Sequence, residues 1–496
     1  MDHPLNLLAY DLGAESGRAI LGKFDGEKLS LVDVHRFTNP PVILPDGLHW
    51  DALRLFSEIK HGLGLAAQQA EGTLAGLGID TWGVDFGLLD SQGVLIGNPY
   101  HYRDSRTDGM LEHAFKRLPA AEIFDQTGIQ FMQLNTLFQL LSMVVNRSPA
   151  LEIASTLLTM PDLFNYWLTG RKACELTIAT TTQCYNPRLG VWAWPLLETM
   201  GIPKNLFVDI VHPGSIIGPL SSGVAEELNL GRLPVIAPAS HDTGSAVAAV
   251  PASGQDFAWI SSGTWSIMGV EVQQPVINAQ TLAGSLTNEG GVCGTTRLSK
   301  NIMGLWLVQE CRRTWARQGE ELSYEELTHL AEQAHPFTAV IDPDSAEFLK
   351  HGDMPGRIQA FCRASGQAVP VSKGEIVRSI LEGLALKYRW VLERLETILE
   401  RRLPLIHIVG GGTQNHLLSQ FAADATQREV ITGPVEATAT GNLLMQALAL
   451  GEIASLGQGR DLVCRSFSVK TFEPEAGNRW DEAYARFLTL PSVKMS

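Results

Sequence analysis

The chain has 496 residues, 45% of them hydrophobic and 18% charged, enough material for more than one core, so two or more domains are expected. Its 38 basic residues against 53 acidic ones leave a net charge of −15, which excludes the positive field of an electrostatic DNA or RNA binder. The cysteines at 174, 184, 293, 311, 362 and 464 form no CxxC pair, which points to free thiols rather than disulfides or a zinc site.

The first apolar run, Leu5–Tyr10, leads into DLGAESGR (11–18) and returns through Ala19–Phe24. A DG turn at Asp25–Gly26 and a further run over Leu29–Phe37 complete a predicted β-hairpin series. No basic region precedes the first run, and cleavage of a leader would remove the 11–18 loop, so a cytoplasmic location is expected. No apolar stretch approaches the roughly 18 residues of a membrane span. A second strand pair is predicted in LAGLGIDTWGVDFGLLD (74–90), where Asp80, Thr81 and Asp85 interrupt the apolar run. Residues 110–170 read as mostly helical, with TMPDLFNYWLTG (159–170) started by Pro161 and stopped by Gly170.

PVIAPASHDTGSAVAAVP (234–251) reads as a buried strand, a polar turn and a small-residue helix. FAWISSGTWSIMGVEV (257–272) then repeats the opening pattern of apolar strand, glycine with hydroxyls, apolar return. A second such hairpin halfway along predicts a duplicated architecture with one domain on each side of a cleft. Helical regions are expected at 301–335 and 373–400. LPLIHIVGGGTQNHLLSQFAADAT (403–426) passes from a buried strand through three glycines into a helix whose Leu417, Leu418, Phe421 and Ala425 share an apolar face.

Neither GxxxxGK[ST], nor GxGxxG after a strand, nor HExxH occurs, which removes the P-loop, the dinucleotide fingerprint and the zinc-protease motif. In DLGAESGR, Gly13 and Gly17 could turn the backbone so that its amides face an anion, with Asp11 holding a magnesium ion through water. The same letters suit a tight hairpin turn. Ser261, Ser262 and Thr264 beside Gly263 suit phosphate oxygens or a hydrated turn equally. Asp242 in ASHDTG is either a helix N-cap or a general base at the C-terminal edge of a sheet. The glycines of VGGGTQN (409–415) admit a flat ligand or a close-packed turn. Asn301 is placed at the opening of a helix, NIMGLWLVQECRRTW, with Gln309 about two turns further along. HYRDSR (101–106), with His101, reads as a solvated charged loop.

Six segments occur in one order: DLGAESGR, DTWGVDFGLLD (80–90), YRDSRT (102–107), ASHDTG (239–244), SSGTWS (261–266) and IVGGGTQN (408–415). In letters and order the chain resembles the FGGY carbohydrate kinases, from about residue 5 to about 465. The resemblance implies an α/β protein with two actin-like (ribonuclease H-like) domains flanking a catalytic cleft. Residues 1–245 would carry the sugar site and phosphate loop, 246–465 the ATP site, and 466–496 would pack on the domains as a tail. It implies transfer of the ATP γ-phosphoryl to a sugar hydroxyl with Mg²⁺, the partners being a small sugar and ATP, with no nucleic acid and no membrane.

Carried over position by position, Gly13, Ala14, Glu15, Ser16, Gly17, Thr264, Gln309 and Gly411 would bind ATP, and Asp11 the metal. Gly83, His241, Asp242, Thr243 and Asn301 would hold the sugar, with Asp242 as the base. The Glu15 side chain is expected to point outward, at most pairing with Arg18, as a bystander to phosphates met by main-chain amides. A non-catalytic nucleotide switch of the same fold would have no use for Asp242.

Overall fold

The computed structural model describes residues 4–70, 72–254, 256–475 and 477–494. The first apolar run forms β1 (Leu5–Leu12), buried on both faces and therefore a central strand. It pairs antiparallel with β2 (Ser16–Phe24), which pairs with β3 (Leu29–Thr38). On its other side β1 runs parallel to β4 (Leu74–Thr81). An edge strand β5 (Ser215–Pro219) lies against β6 (Pro234–Ala237), and β6 runs parallel to β4. The order is β5-β6-β4-β1-β2-β3.

The second sheet repeats this plan. β7 (Phe257–Ser262) and β8 (Trp265–Val272) form the second hairpin, and β9 (Thr287–Gly290) and β10 (Thr296–Met303) extend it. β11 (Leu405–Val409) and β12 (Glu429–Thr432) add parallel strands beside β7, and β13 (Lys470–Phe472) closes the edge. Each sheet thus sets three antiparallel strands beside two parallel ones, so the duplication expected from the hairpins extends to the whole topology.

Among the helices are α1 (Ala52–Gln69), α2 (Met160–Thr169), α3 (Leu176–Thr181) and α4 (Asp242–Ala248). α5 (Trp306–Arg317), α6 (Lys373–Leu399), α7 (His416–Thr426), α8 (Ala437–Ala449) and α9 (Arg479–Phe487) follow. Gly170 ends α2 in the left-handed region, as the sequence predicted. Leu418, Phe421 and Ala425 of α7 are buried and Leu417 packs beside them.

Although α8 comes late in the chain, it covers β1 and β4 of the first sheet and crosses α4. The crossing is so close that a Cβ at Gly441 would stand 1.7 Å from the Ser245 carbonyl oxygen. Leu7, Ala9 and Ile20 share one buried cluster with Trp259, Val409 and Leu443, so the two sheets share an apolar core in which α4 and α8 pack between them. In the 466–496 segment, β13 joins the second sheet, and Trp480, Tyr484 and Phe487 of α9 enter its core.

Two expectations need correction. The strand pair predicted within 74–90 does not form: both edges of β4 are taken by β1 and β6, and Phe86–Leu89 pairs instead with Thr156–Thr159. Asn301 does not open a helix. It lies in β10, opposite Ile267 of β8, and the helix begins at Trp306, after Gly304. All six cysteines are free.

Candidate active site

The C-terminal ends of β1 and β4 and the turn before α4 converge, because Thr81 N–H donates to the Ser240 carbonyl (2.9 Å) and Trp82 N–H to that of Leu12 (3.2 Å). Opposite them stand the β7–β8 turn and the glycines after β11. Between the two units lies a cavity of about 320 Å³. Asp11, Gly13, Ala14, Gly83, His241, Asp242, Thr243, Thr264, Asn301 and Gly411, ten of the residues singled out in the sequence, line it. Gln309 stands just behind, its amide 3.2 Å from the Thr264 hydroxyl.

Glu15, Ser16 and Gly17 do not line the cavity. Glu15 and Ser16 are exposed at the tip of the β1–β2 loop. Gly17 is a packing glycine: a Cβ there would sit 2.4 Å from the Phe37 ring, and neither it nor Gly13 has a positive φ. The loop is braced internally, with Gly13 N–H donating to the Ser16 carbonyl (2.9 Å) and Asn39 bonding both Gly13 and Glu15. Among the described residues, the amides of Ala14 and Glu15 have no protein partner.

Nor does Glu15 take the pairing with Arg18 that the sequence allowed. Arg18 faces Asp11 across the β1–β2 ladder and grips its Oδ2 through Nε (2.9 Å) and Nη2 (2.5 Å). Its remaining nitrogen binds Glu436 at the entrance to α8. Glu15 instead pairs at 2.5 Å with Arg313 on α5, from the opposite unit. Hairpin register put Arg18 and Asp11 on one face, and so removed Arg18 from Glu15's reach.

Beside Asp11, on the parallel neighbour β4, sits Asp80. Its Oδ2 accepts from Asn442 at 2.6 Å, while Oδ1 is buried without a partner. Burial, followed by the Asp11 charge, pushes its pKa well above the ordinary value.

On the far side, Trp82, Val84, Tyr102, Ile129 and Leu134 make an apolar wall. Val84 has φ +70°, a strained conformation for a β-branched residue. Thr181 and Thr136 clamp it: its N–H donates to Thr181 Oγ1 (3.1 Å) and its carbonyl accepts from the Thr136 hydroxyl (2.5 Å). Behind it the buried Asp85 carboxylate accepts from Trp50 (2.6 Å), Trp82 (3.0 Å), Gln139 (2.8 Å) and the Tyr102 amide (3.2 Å). Burial nonetheless raises its pKa to about 6. Asn301 reaches the cavity from the second unit and shares Gln130 Oε1 between its main-chain N–H (3.0 Å) and its side-chain amide (3.3 Å).

The cap position of α4 is His241, and Asp242 is the first helical residue. Asp242 is therefore not the N-cap that one reading of the sequence allowed; its Oδ1 bonds only the Thr243 amide and hydroxyl. Its side chain keeps 31% of its surface open to the cavity, yet the protein surrounds it closely enough that burial raises its pKa. His241 opposes that shift and the Asp11 charge adds to it. The helix terminus therefore does not dominate, and a carboxylate of raised proton affinity suits proton acceptance.

HYRDSR is not a solvated loop. His101 is buried and stacked 4.1 Å from Trp50, and burial drops its pKa to about 3. Arg103 crosses the cleft, lying 4.2 Å from the Trp306 ring and donating to the Leu349 carbonyl at 3.0 Å. Sequence reasoning missed Arg18, Val84, Gln130, Glu289 and Arg297. For Arg18 alone a local signal existed, its place opposite Asp11 in the predicted hairpin.

Two sheets of one topology, closing on a cavity with Asp11 and Asp242 on one wall and hydroxyls and glycines beside Glu289 on the other, define a two-domain sugar-kinase architecture. The family model for the FGGY carbohydrate kinase N-terminal domain matches residues 6–249 and that for the C-terminal domain residues 258–450. The chain belongs to this family and is an ATP-dependent carbohydrate kinase. It is 46% identical to a rhamnulokinase of Bacteroides thetaiotaomicron, covering 97% of this chain and 98% of that protein. It is 40% identical to a rhamnulokinase of Oceanobacillus iheyensis, covering 94% and 97%. Among solved structures, the gluconate kinase of Lactobacillus acidophilus superposes with a TM-score of 0.79 at 17% identity, over 99% of this chain and 97% of that one, which shows the shared fold.

Proposed function

We propose that this kinase transfers the γ-phosphoryl of ATP to the 1-hydroxyl of L-rhamnulose, giving L-rhamnulose 1-phosphate and ADP in the cytoplasm as a step of L-rhamnose breakdown. The observation that carries the reading is Asp242: a carboxylate of raised proton affinity that opens on the same cavity as Thr264, Gly411 and Asn301. The identity to rhamnulokinases over nearly the whole chain supports the choice of sugar.

In this reading residues 1–245 and 246–465 are the two kinase domains, with 466–496 packed on them. Gly83, His241, Thr243 and Asn301 orient the sugar, and Asp242 accepts the proton of the attacking hydroxyl as its oxygen reaches phosphorus. Thr264, backed by Gln309, and the loops at Gly13–Ala14 and Gly411 receive the nucleotide, with the unpartnered amides of Ala14 and Glu15 available to phosphate oxygens. Trp82, Tyr102 and Trp265 exclude the water that would otherwise hydrolyse ATP.

A magnesium ion fits the donors present. Arg18 occupies only Oδ2 of Asp11, and the unpartnered Oδ1 of Asp80 lies on the adjoining strand, both hard oxygen donors. Among the described residues no group of three His, Cys, Asp or Glu could hold a metal alone, which suits an ion shared with phosphates. Asp11 would hold it, and the ion when bound neutralises charge on the phosphates.

A coupled ADP assay over a panel of ketoses tests the assignment. L-Rhamnulose should give the highest kcat/KM, with modest discrimination against L-fuculose and D-xylulose, which differ from it by few hydrogen bonds. A better rate with either rival overturns the choice of sugar and leaves the kinase chemistry standing.

A further inference from the structure

We propose that Glu289 and Arg297 are positioning residues for the base, acting on Asp242 through His241 from the opposite unit; this rests on the reading of Asp242 as the base. The two stand directly opposite each other on β9 and β10. Both are buried, Arg297 completely. The Arg297 Nη2 lies 3.0 Å from Glu289 Oε2 and 3.1 Å from His241 Nδ1, while its Nε donates to the Gly290 carbonyl at 3.0 Å and fixes the guanidinium plane. His241 Nδ1 is also 3.2 Å from Glu289 Oε2, and its other nitrogen, Nε2, is 3.4 Å from Asp242 Oδ1.

These contacts form one line across the domain boundary, from guanidinium and carboxylate to imidazole to the base. With Nδ1 accepting from Arg297, the ring hydrogen sits on Nε2, the nitrogen 3.4 Å from Asp242 Oδ1. With the ring protonated, Nδ1–H faces Glu289 and Nε2–H still faces Asp242. Either way the Thr243 amide and hydroxyl hold Oδ1, Nε2 stands beside it at 3.4 Å, and Oδ2 is left to take the sugar's proton. The remaining groups around this turn belong to the first unit. Thr177 Oγ1 accepts from His241 N–H at 3.1 Å and Glu175 from Ser240 N–H at 3.0 Å, while the Asp11 and Asp80 charges bear on Asp242.

The β9–β10 ladder already ties those strands together through four residue pairs. A buried ion pair aimed into the other unit's turn is therefore not required to hold the sheet. It makes the orientation of the base depend on the two units being in contact.

The test uses the full-length protein with Glu289→Gln, Arg297→Lys, His241→Asn and their pairwise combinations, each checked by melting and by calorimetry with ATP. Expected for Glu289→Gln is a kcat lowered roughly tenfold to a hundredfold with sugar and ATP KM values within about threefold, the pattern of an interaction needed only at the transition state. In the His241→Asn background the same substitution should change kcat by less than about twofold, because its route to the base is gone. A raised sugar KM at unchanged kcat would mean that Glu289 touches the sugar, and a full effect in the His241→Asn background would mean that it bypasses His241; either overturns the proposal. Should Glu289→Gln fail to fold, Arg297→Lys paired with His241→Asn supplies the same comparison. A near-normal Asp242→Asn overturns the base assignment itself, whereas an inactive Asp242→Asn beside a normal Glu289→Gln overturns only this inference.

Discussion

The two hairpins that face each other across the cleft share a topology and differ in chemistry. The β1–β2 side presents carboxylates, with Asp11 gripped by Arg18, Asp80 beside it and Asp242 a turn away. The β7–β8 side presents hydroxyls and main chain: Ser261, Ser262 and Thr264 around Gly263, whose N–H donates to the Trp265 carbonyl at 2.8 Å. Duplicating a fold duplicates strand ends, and what those ends carry decides their work. Charge collects where a proton and a metal would be handled; neutral donors collect where an already anionic nucleotide would lie, which avoids repulsion. Substitutions on the two sides should therefore fail differently.

The largest effect is expected at Asp242. Asp242→Asn keeps the shape and loses proton acceptance, so kcat should fall by about two orders of magnitude or more. Because the side chain is not a helix cap, its melting temperature should stay near that of the parent. Calorimetry should show ATP still bound. A variant that keeps its turnover would erase the distinction between the two hairpins. Next is Asp11→Ala, which should remove most turnover and also free Arg18 in the phosphate region; titrating magnesium against rate reads both consequences. Rescue of full kcat by high magnesium would show that Asp11 sets metal affinity alone.

Thr264→Val probes the neutral side. A lost hydroxyl bond to a charged phosphate is typically worth about 1.5–3 kcal/mol, so the ATP KM should rise by roughly one to two orders of magnitude while the sugar KM holds. Gln309 would lose its partner at 3.2 Å as well, so the double variant with Gln309→Ala should be less than additive. A loss in kcat equal to that of Asp242→Asn would place Thr264 in the chemistry rather than in binding.

Much of this arrangement is legible in the sequence, and the boundary of legibility is physical. Strands β1, β2, β7, β8 and β11 announce themselves because alternation and apolar runs are local properties. The order of the glycine and aspartate motifs then brings the family and ten cavity residues with it. What fails depends on distant approach. β4 and Phe86–Leu89 look like one pair until β6, some 150 residues on, takes the edge. His101 looks solvated until Trp50 stacks on it. Arg297 and His241 are 56 positions apart and Glu15 and Arg313 are 298 apart, and no spacing rule reports which charge a folded chain sets beside which.

The smallest effect is expected at the tip of the first loop, at Glu15. A carboxylate inside a phosphate loop would repel ATP if it faced the cavity, but Glu15 lies outside the lining and is turned onto Arg313 of the other unit. Both partners are about 40% exposed, so water and salt screen the pair and its worth is at most ~1 kcal/mol. Glu15→Ser should leave the ATP KM within about fivefold; Arg313→Ser breaks the same contact and also releases the buried Glu310, so it should match that KM while melting lower. Raising salt should shrink both differences further. In ATP KM the two variants part company only if one side chain acts on the nucleotide apart from the pair. Should Glu15→Ser alone change the ATP KM by more than tenfold, the carboxylate belongs to the nucleotide site, and the first hairpin handles phosphate through a side chain as the second does.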